Sequence, residues 1–368
     1  MTATTDLTAP AARAAVRALP AYVAGRRATG PQVAPLASNE NPFDPIPSVR
    51  AAVAVAALRL NRYPDPSALA LRERIAAHVG VSTDEIAVGP GSSAVLQQVL
   101  TAFCDPGDEV VHAWRSFEAY PLLARLAGAT AVGVPLDNTQ AHDLDAMAAA
   151  VTDRTRVVLL CTPNNPTGVA LRAEDVERFL ARVPAHVLVV IDEAYVEYDD
   201  SGFEGPALYR RHPNVCLVRT FSKAHGLAAL RVGYAVAHAE TAEALRRTLL
   251  TFAVTDLAQA AAIASLDEAA EVQHRVDAVV AERRRVLAAL ADQGWTTTAS
   301  RGNFFWLPAD ISRGDQLVAA FDAADVMVRH YPGDGVRVTV ADRAANDRAL
   351  AVLSSLNPHG TPHGTELR

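Results

Sequence analysis

The stretch RVVLLCTPNNPTGVALRAEDVERFLARVPAHVLVVIDEAY, residues 156–195, carries the fold in outline. It opens on a compact β-branched run, Arg156–Cys161, and a second run, Val187–Ile191, comes just before its end. Neither run alternates polar with apolar residues, so each reads as a strand buried on both faces of a sheet. Between them, Ala173–Val183 has helical spacing with its charges on one side. Strand, helix, strand over this length is a βαβ unit. A third run, Val215–Val218, lies one repeat further on, and the alternation extends from Asn39 to about Thr251. The expected class is α/β, a large domain with a mostly parallel sheet sandwiched by helices.

Outward from this unit, the composition changes. Residues 1–38 are rich in Ala and Pro and read as an N-terminal arm, joining the small domain, with one short helix near Ala11–Leu19. Residues 39–255 form the large domain. Residues 256–368 supply a connector helix, with a break expected near Leu266–Glu268, and a smaller α+β domain. Its expected strands are Asn303–Leu307, Val326–Tyr331 and Val336–Val340, with helices near Asp315–Ala324 and Ala344–Leu353. The tail after Pro358 reads as loose.

Half of the 368 residues are hydrophobic and a fifth are charged, enough for a sizeable core. A formal charge of −7 argues against a general nucleic-acid binder. Apolar runs are broken by charge well short of a membrane span, and the three cysteines, Cys104, Cys161 and Cys216, have no metal-ligand spacing. The expectation is a soluble cytoplasmic protein without metal or membrane partner. Of 34 Lys plus Arg, a single residue is lysine, Lys223. Arginine replaces a solvated positive charge, but it cannot act as a neutral amine. Lys223 is therefore the candidate nucleophile.

Three loops follow the three strongest strand candidates: Thr162–Gly168, Asp192–Tyr195 and Thr220–Lys223. In open α/β sheets ligands bind beyond the carboxyl ends of the strands, so these loops can converge on one crevice. Each alone is ordinary: Asn-Asn-Pro-Thr-Gly is a good turn and Asp-Glu-Ala-Tyr a plausible helix cap. Together they supply an amide, a carboxylate, a phenol and an amine. A pyridine-aldehyde cofactor needs that set. Lys223 would condense with the aldehyde, and Asp192 would keep the ring nitrogen protonated. Asn165 and Tyr195 would serve the phenolic oxygen. Thr220, Ser222 and Arg231 are candidates for a phosphate, as are Ser92 and Ser93, which follow Gly89-Pro90-Gly91 at an expected helix start before Ala94–Leu100.

Ser38-Asn39-Glu40-Asn41-Pro42, Asn61-Arg62-Tyr63-Pro64-Asp65, Pro163–Gly168, Asp192–Tyr195 and Ser222-Lys223 through Arg231-Val232-Gly233 resemble class I/II aminotransferases of fold type I. The resemblance runs from about Asn39 to Asp347 and is nearest the histidinol-phosphate aminotransferase branch. Ala113-Trp114-Arg115-Ser116-Phe117-Glu118-Ala119-Tyr120-Pro121 and His142–Met147 are similar to actinobacterial aromatic-amino-acid (phenylalanine) aminotransferases. The resemblance implies pyridoxal 5'-phosphate on Lys223 and a homodimer in which Tyr63 reaches the neighbouring subunit's phosphate. It also implies that Phe117 stacks on the ring, that Arg337 takes the substrate's α-carboxylate and that Arg329 lies close by. The substrates it implies are an aromatic amino acid and 2-oxoglutarate, with histidinol phosphate as the alternative donor. A lyase or decarboxylase on the same cofactor, or a non-catalytic sensing module, is compatible with the cofactor motifs alone. The chain departs from the family pattern at His225, Ala229 and Ala341-Asp342. Ser92-Ser93-Ala94 lacks the acidic pair common in histidinol-phosphate enzymes, which favours aromatic substrates.

Overall fold

The computed structural model describes residues 10–12, 14–17, 19, 30, 32–356 and 358. The strands are β1 (Ala34–Pro35), β2 (Ile86–Gly89), β3 (Glu109–Trp114), β4 (Thr130–Pro135), β5 (Thr155–Cys161), β6 (Leu188–Asp192), β7 (Val215–Thr220), β8 (Gly233–Val236), β9 (Phe304–Pro308), β10 (Val326–Met327), β11 (Arg329–Tyr331) and β12 (Gly335–Thr339). A seven-stranded sheet has the order β2-β8-β7-β6-β5-β3-β4, and β8 is antiparallel to both its neighbours while the other pairs are parallel. This is the expected α/β architecture.

Burial explains why the central runs are uninterrupted. Val158, Leu160, Val189, Ile191 and Leu217 pack into one core. Their sequence neighbours Val157, Leu159, Val190, Cys216 and Val218 pack into another, on the opposite face. Strand periodicity sends alternate side chains to opposite faces, and both faces are covered. Each such side chain contributes roughly 1.5–3 kcal/mol by leaving water. The second core is closed by helices Ser92–Phe103 and Tyr120–Ala127, through Val95, Leu96, Val99, Tyr120 and Leu123.

The chain order reverses between β3 and β5: β4 lies beyond β3 on one side, and β6 and β7 extend from β5 on the other. Segments leaving the carboxyl ends of β3 and β5 therefore diverge and leave a crevice. A second, antiparallel sheet, β11-β12-β9, stands beside it, and β1 pairs in parallel with β10.

Several boundaries move from expectation. Val326–Tyr331, read as one strand, divides at Val328 into β10 and β11, which belong to different sheets. A change of pairing partner leaves the apolar pattern unaltered, so the sequence carries no mark of it. The helix expected from Asp315 begins at Ile311, because the Asp310 side chain accepts the Arg313 amide at 2.8 Å. The break in the connector falls at Glu268, between helices Asp256–Asp267 and Ala269–Asp292. In the arm, Ala14–Arg17 is helical. The tail beyond residue 358, expected to be loose, lies outside the described residues.

Candidate active site

The three loops meet. Cys161 pairs with Asp192, and Asp192 with Val218, so register brings the ends of β5, β6 and β7 level. Over them lies a cavity of about 270 Å³. Its lining includes Ser92, Ser93, Phe117, Asn165, Asp192, Tyr195, Thr220, Ser222, Lys223, Arg231, Arg329 and Arg337. Tyr63 alone among the sequence candidates is elsewhere: it is exposed and stacks on Phe252, ring centroids 4.5 Å apart.

The floor is dry and polar. Asp192, the last residue of β6, is buried, and its Oδ2 accepts the Tyr120 hydroxyl at 2.8 Å while Oδ1 accepts the Ala194 amide at 3.2 Å. Burial pushes its carboxyl up to about 6, and the Tyr120 hydrogen bond opposes that rise. Its partners are a phenol and an amide, so a cationic ring nitrogen in the cavity would supply the counter-charge that it lacks.

Lys223 ends the third loop. Its Nζ donates to the Ser38 carbonyl at 2.9 Å, and Asn41 Nδ2 holds the Ala224 carbonyl at 2.9 Å. Desolvation, then the nearby Arg337 charge, brings the amine down to about 7. A lysine brought to about 7 has a substantial neutral fraction near physiological pH and can act as nucleophile or base.

The opposite corner suits an anion. Helix Ser92–Phe103 has Gly91 at its N-cap with no side-chain cap, and its first two residues, Ser92 and Ser93, line the cavity. Arg231, at φ 55°, lies against Gly91, where a β-carbon would come within 2.3 Å of Nη2. Gly91, at φ 91°, is favoured by its backbone, and a side chain there would also push the guanidinium aside. Arg231 Nη1 reaches Ser222 Oγ at 3.3 Å.

The far wall is the small sheet. Arg337 is buried, donating to Asn165 Oδ1 and to the Ala37 carbonyl at 2.6 Å, and its Nε has no partner. Arg329 Nη2 donates to Glu118 Oε1 at 2.5 Å. Tyr331 lies between them, its ring centroid 5.8 Å from the Arg329 guanidinium and 5.9 Å from that of Arg337.

Sequence reasoning missed Tyr120, Glu118 and the role of Asn39. Asn39 Nδ2 donates to the Tyr195 hydroxyl at 3.0 Å, its Oδ1 accepts from Thr339 at 3.1 Å, and its carbonyl accepts from Asn303 at 3.1 Å. It thereby ties the floor to the small sheet. Its φ of 53° explains asparagine, which tolerates that region better than most residues. The departures prove local. His225 faces away from the cavity lining, with Nδ1 2.8 Å from Ser265 Oγ and its ring tilted on Phe221. Asp342 caps helix Arg343–Ser354. Among the described residues no cluster of three or more metal-ligating side chains occurs, and no helix is long and apolar enough to cross a membrane.

A crevice at the sheet's reversal point brings together the groups that an anionic, aldehyde-bearing cofactor would need: an amine, a buried carboxylate and a guanidinium beside a helix start. A histidinol-phosphate aminotransferase from Sinorhizobium meliloti, solved with pyridoxal-5'-phosphate, has this fold: TM-score 0.84 at 28% identity, covering 97% of this chain and 98% of that one. An aromatic amino acid aminotransferase from Streptomyces avermitilis is 50% identical over 349 residues, 94% of this chain and 97% of its own length. One from Thermobifida fusca is 52% identical over 347 residues, 93% and 96% of the two chains. The model of the family "Aminotransferase class I and II" matches residues 31–353. The chain belongs to that family and is an aminotransferase.

Proposed function

We propose that the chain uses pyridoxal 5'-phosphate to move the amino group between an aromatic L-amino acid (phenylalanine, tyrosine or tryptophan) and 2-oxoglutarate. The carrying observation is that the sole lysine stands in the same cavity as buried Asp192, the Arg231 corner and Arg337. The aromatic assignment is supported by relatives of about half-identical sequence bearing that name.

When bound, the cofactor takes up the electron pair left as a bond to the substrate's α-carbon breaks. Lys223 attaches it, and Asp192 keeps its ring nitrogen protonated. Phe117 offers an aromatic face, with Asn165 and Tyr195 toward the phenolic oxygen. Ser92, Ser93, Thr220, Ser222 and Arg231 hold the phosphate. Arg337, with its spare Nε, takes the α-carboxylate beside Asn165, and Arg329 lies toward the distal end of the substrate. The substrate's amine would replace Nζ of Lys223 on the cofactor, and the freed Nζ would remove the α-proton and return it, acting as base and acid in turn. Fixing the carboxylate at Arg337 retains it through the reaction, which favours amino transfer over decarboxylation.

The working unit in this reading is a homodimer in the cytoplasm. Val55, Leu58, Leu60 and Leu250 are exposed near Tyr63 and Phe252, an apolar surface suited to a second copy. Tyr63 of the partner subunit would complete the phosphate corner. Three buried, unpaired cysteines fit a reducing compartment.

Purified protein given phenylalanine and 2-oxoglutarate is expected to release phenylpyruvate and glutamate. Lys223→Ala and Lys223→Arg are both expected to lose at least about 10³-fold in turnover, since neither offers a neutral amine. Near-normal rates from either variant would refute the reading. A strong preference for histidinol phosphate over phenylalanine would replace the donor.

A further inference from the structure

Tyr120 touches two of the groups assigned to the cofactor ring. It opens helix Tyr120–Ala127 and is fully buried. Its ring stands edge-on to Phe117, centroids 5.5 Å apart at 89°, and its amide donates to the Phe117 carbonyl at 3.0 Å. Its hydroxyl donates to Asp192 Oδ2 at 2.8 Å. Burial, then the Asp192 charge, holds that phenol well above its usual range, so it keeps its proton and donates it. The Ala194 amide donates to the other oxygen, at 3.2 Å. Around the carboxyl, the Cys161 thiol on β5 is pushed up by burial and stays neutral. Glu193, the next residue along, is bridged by Arg219, whose Nε is 2.7 Å from its Oε2. Lys223 lines the same cavity.

A ring nitrogen brought against Asp192 shares one proton with it. On the nitrogen, that proton makes an ion pair; on the carboxyl oxygen, it makes a neutral pair. Burial alone favours the neutral pair, because it penalises charge. A hydrogen bond donated to the carboxylate favours the ion pair. We propose that Tyr120 is a positioning residue that decides this contest: its hydroxyl, held on Asp192 Oδ2, keeps the shared proton on the cofactor ring. This rests on the reading in which the chain carries pyridoxal 5'-phosphate. The protonated ring is the form that takes up an electron pair from the substrate. Of the two donors, Tyr120 lowers the Asp192 carboxyl more than the Ala194 amide does. The edge contact with Phe117 steadies the same side chain, so the stacking residue and the ring's anion share one support.

The test uses protein loaded with pyridoxal 5'-phosphate enriched in nitrogen-15 at the ring nitrogen. Pyridine and pyridinium nitrogens resonate far apart, so the signal reports where the proton sits. The parent is expected at the pyridinium position. Tyr120→Phe keeps the ring and its contact with Phe117 and removes only the hydroxyl. It is expected to shift the ratio of the two forms about tenfold toward pyridine, the scale of one charge-assisted hydrogen bond. With phenylalanine and no acceptor, the limiting rate of cofactor conversion should fall by a similar factor, and the apparent affinity far less. Should Tyr120→Phe not hold the cofactor, replacing Tyr120 by para-aminophenylalanine, which leaves a weaker donor in place, is expected to move the signal the same way by less. A residue that only packs leaves the signal unmoved. An unmoved signal in a loaded variant, or a parent signal at the pyridine position, overturns the inference. A parent that binds no pyridoxal 5'-phosphate overturns the cofactor reading instead, so the two failures are distinct.

Discussion

The floor of the cleft and its far wall solve different problems with the same kind of side chain. On the floor, Asp192 ends a strand paired on both sides and Lys223 ends the loop that follows the next strand, and burial shifts both toward neutrality. On the wall, Arg329 and Arg337 extend from a narrow three-stranded sheet, Arg329 donating to the Glu118 carboxylate and Arg337 to the neutral oxygens of Asn165 and Ala37. Groups that exchange protons are desolvated; groups that sort ligands are paired. In the proposed reading, rate and selectivity are separable because different sheets carry the groups assigned to each.

The sharpest way to break that contrast is Asp192→Asn. Loss of the anion on the floor is expected to lower kcat about a thousandfold, with KM for phenylalanine changed far less, in steady-state assays of cofactor-loaded protein. A dominant KM effect would erase the distinction. Next in size, Arg337→Gln on the wall is expected to raise KM for phenylalanine and its oxo acid about a hundredfold, through the lost charge-assisted pair, with a smaller fall in kcat.

The third expectation is the smallest and sharpens the comparison by asking how far the wall reaches the floor. Because the chain has one lysine, carbon-13 reductive methylation of cofactor-free protein labels only Lys223 and the N-terminal amine. The Lys223 signal should titrate with a midpoint near 7, its neutral fraction growing as pH rises through that value. Burial is the larger cause and the Arg337 charge the next, so Arg337→Gln should move the midpoint upward, toward the ordinary lysine range, but not restore it. A midpoint near 10 in the parent would remove the floor's neutrality.

The floor was legible because its residues cluster in sequence at strand ends. Asn165, Asp192 and Lys223 each follow an uninterrupted apolar run, and that local grammar survives without any knowledge of pairing. The anion corner was legible through Gly-Pro-Gly-Ser-Ser before a helical run. The wall was less so. Arg329 and Arg337 could be named from resemblance, but their counter-charge could not: Glu118 is 211 positions from Arg329, and nothing local couples them. The split between β10 and β11 stayed hidden because Val326–Tyr331 keeps one apolar pattern while changing partners. Tyr120 is fully buried, and its hydroxyl reaches Asp192 across 72 positions of sequence, a pairing that no local pattern records.

Two consecutive carbonyls remain instructive. Ala37 offers its oxygen to Arg337, and Ser38 offers the next one to Lys223 Nζ. A single dipeptide thus touches the ligand-gripping cation and the reactive nitrogen at once. The two oxygens sit on adjacent peptide planes hinged at the Ser38 α-carbon, so φ and ψ of this one residue set the spacing between the two grips.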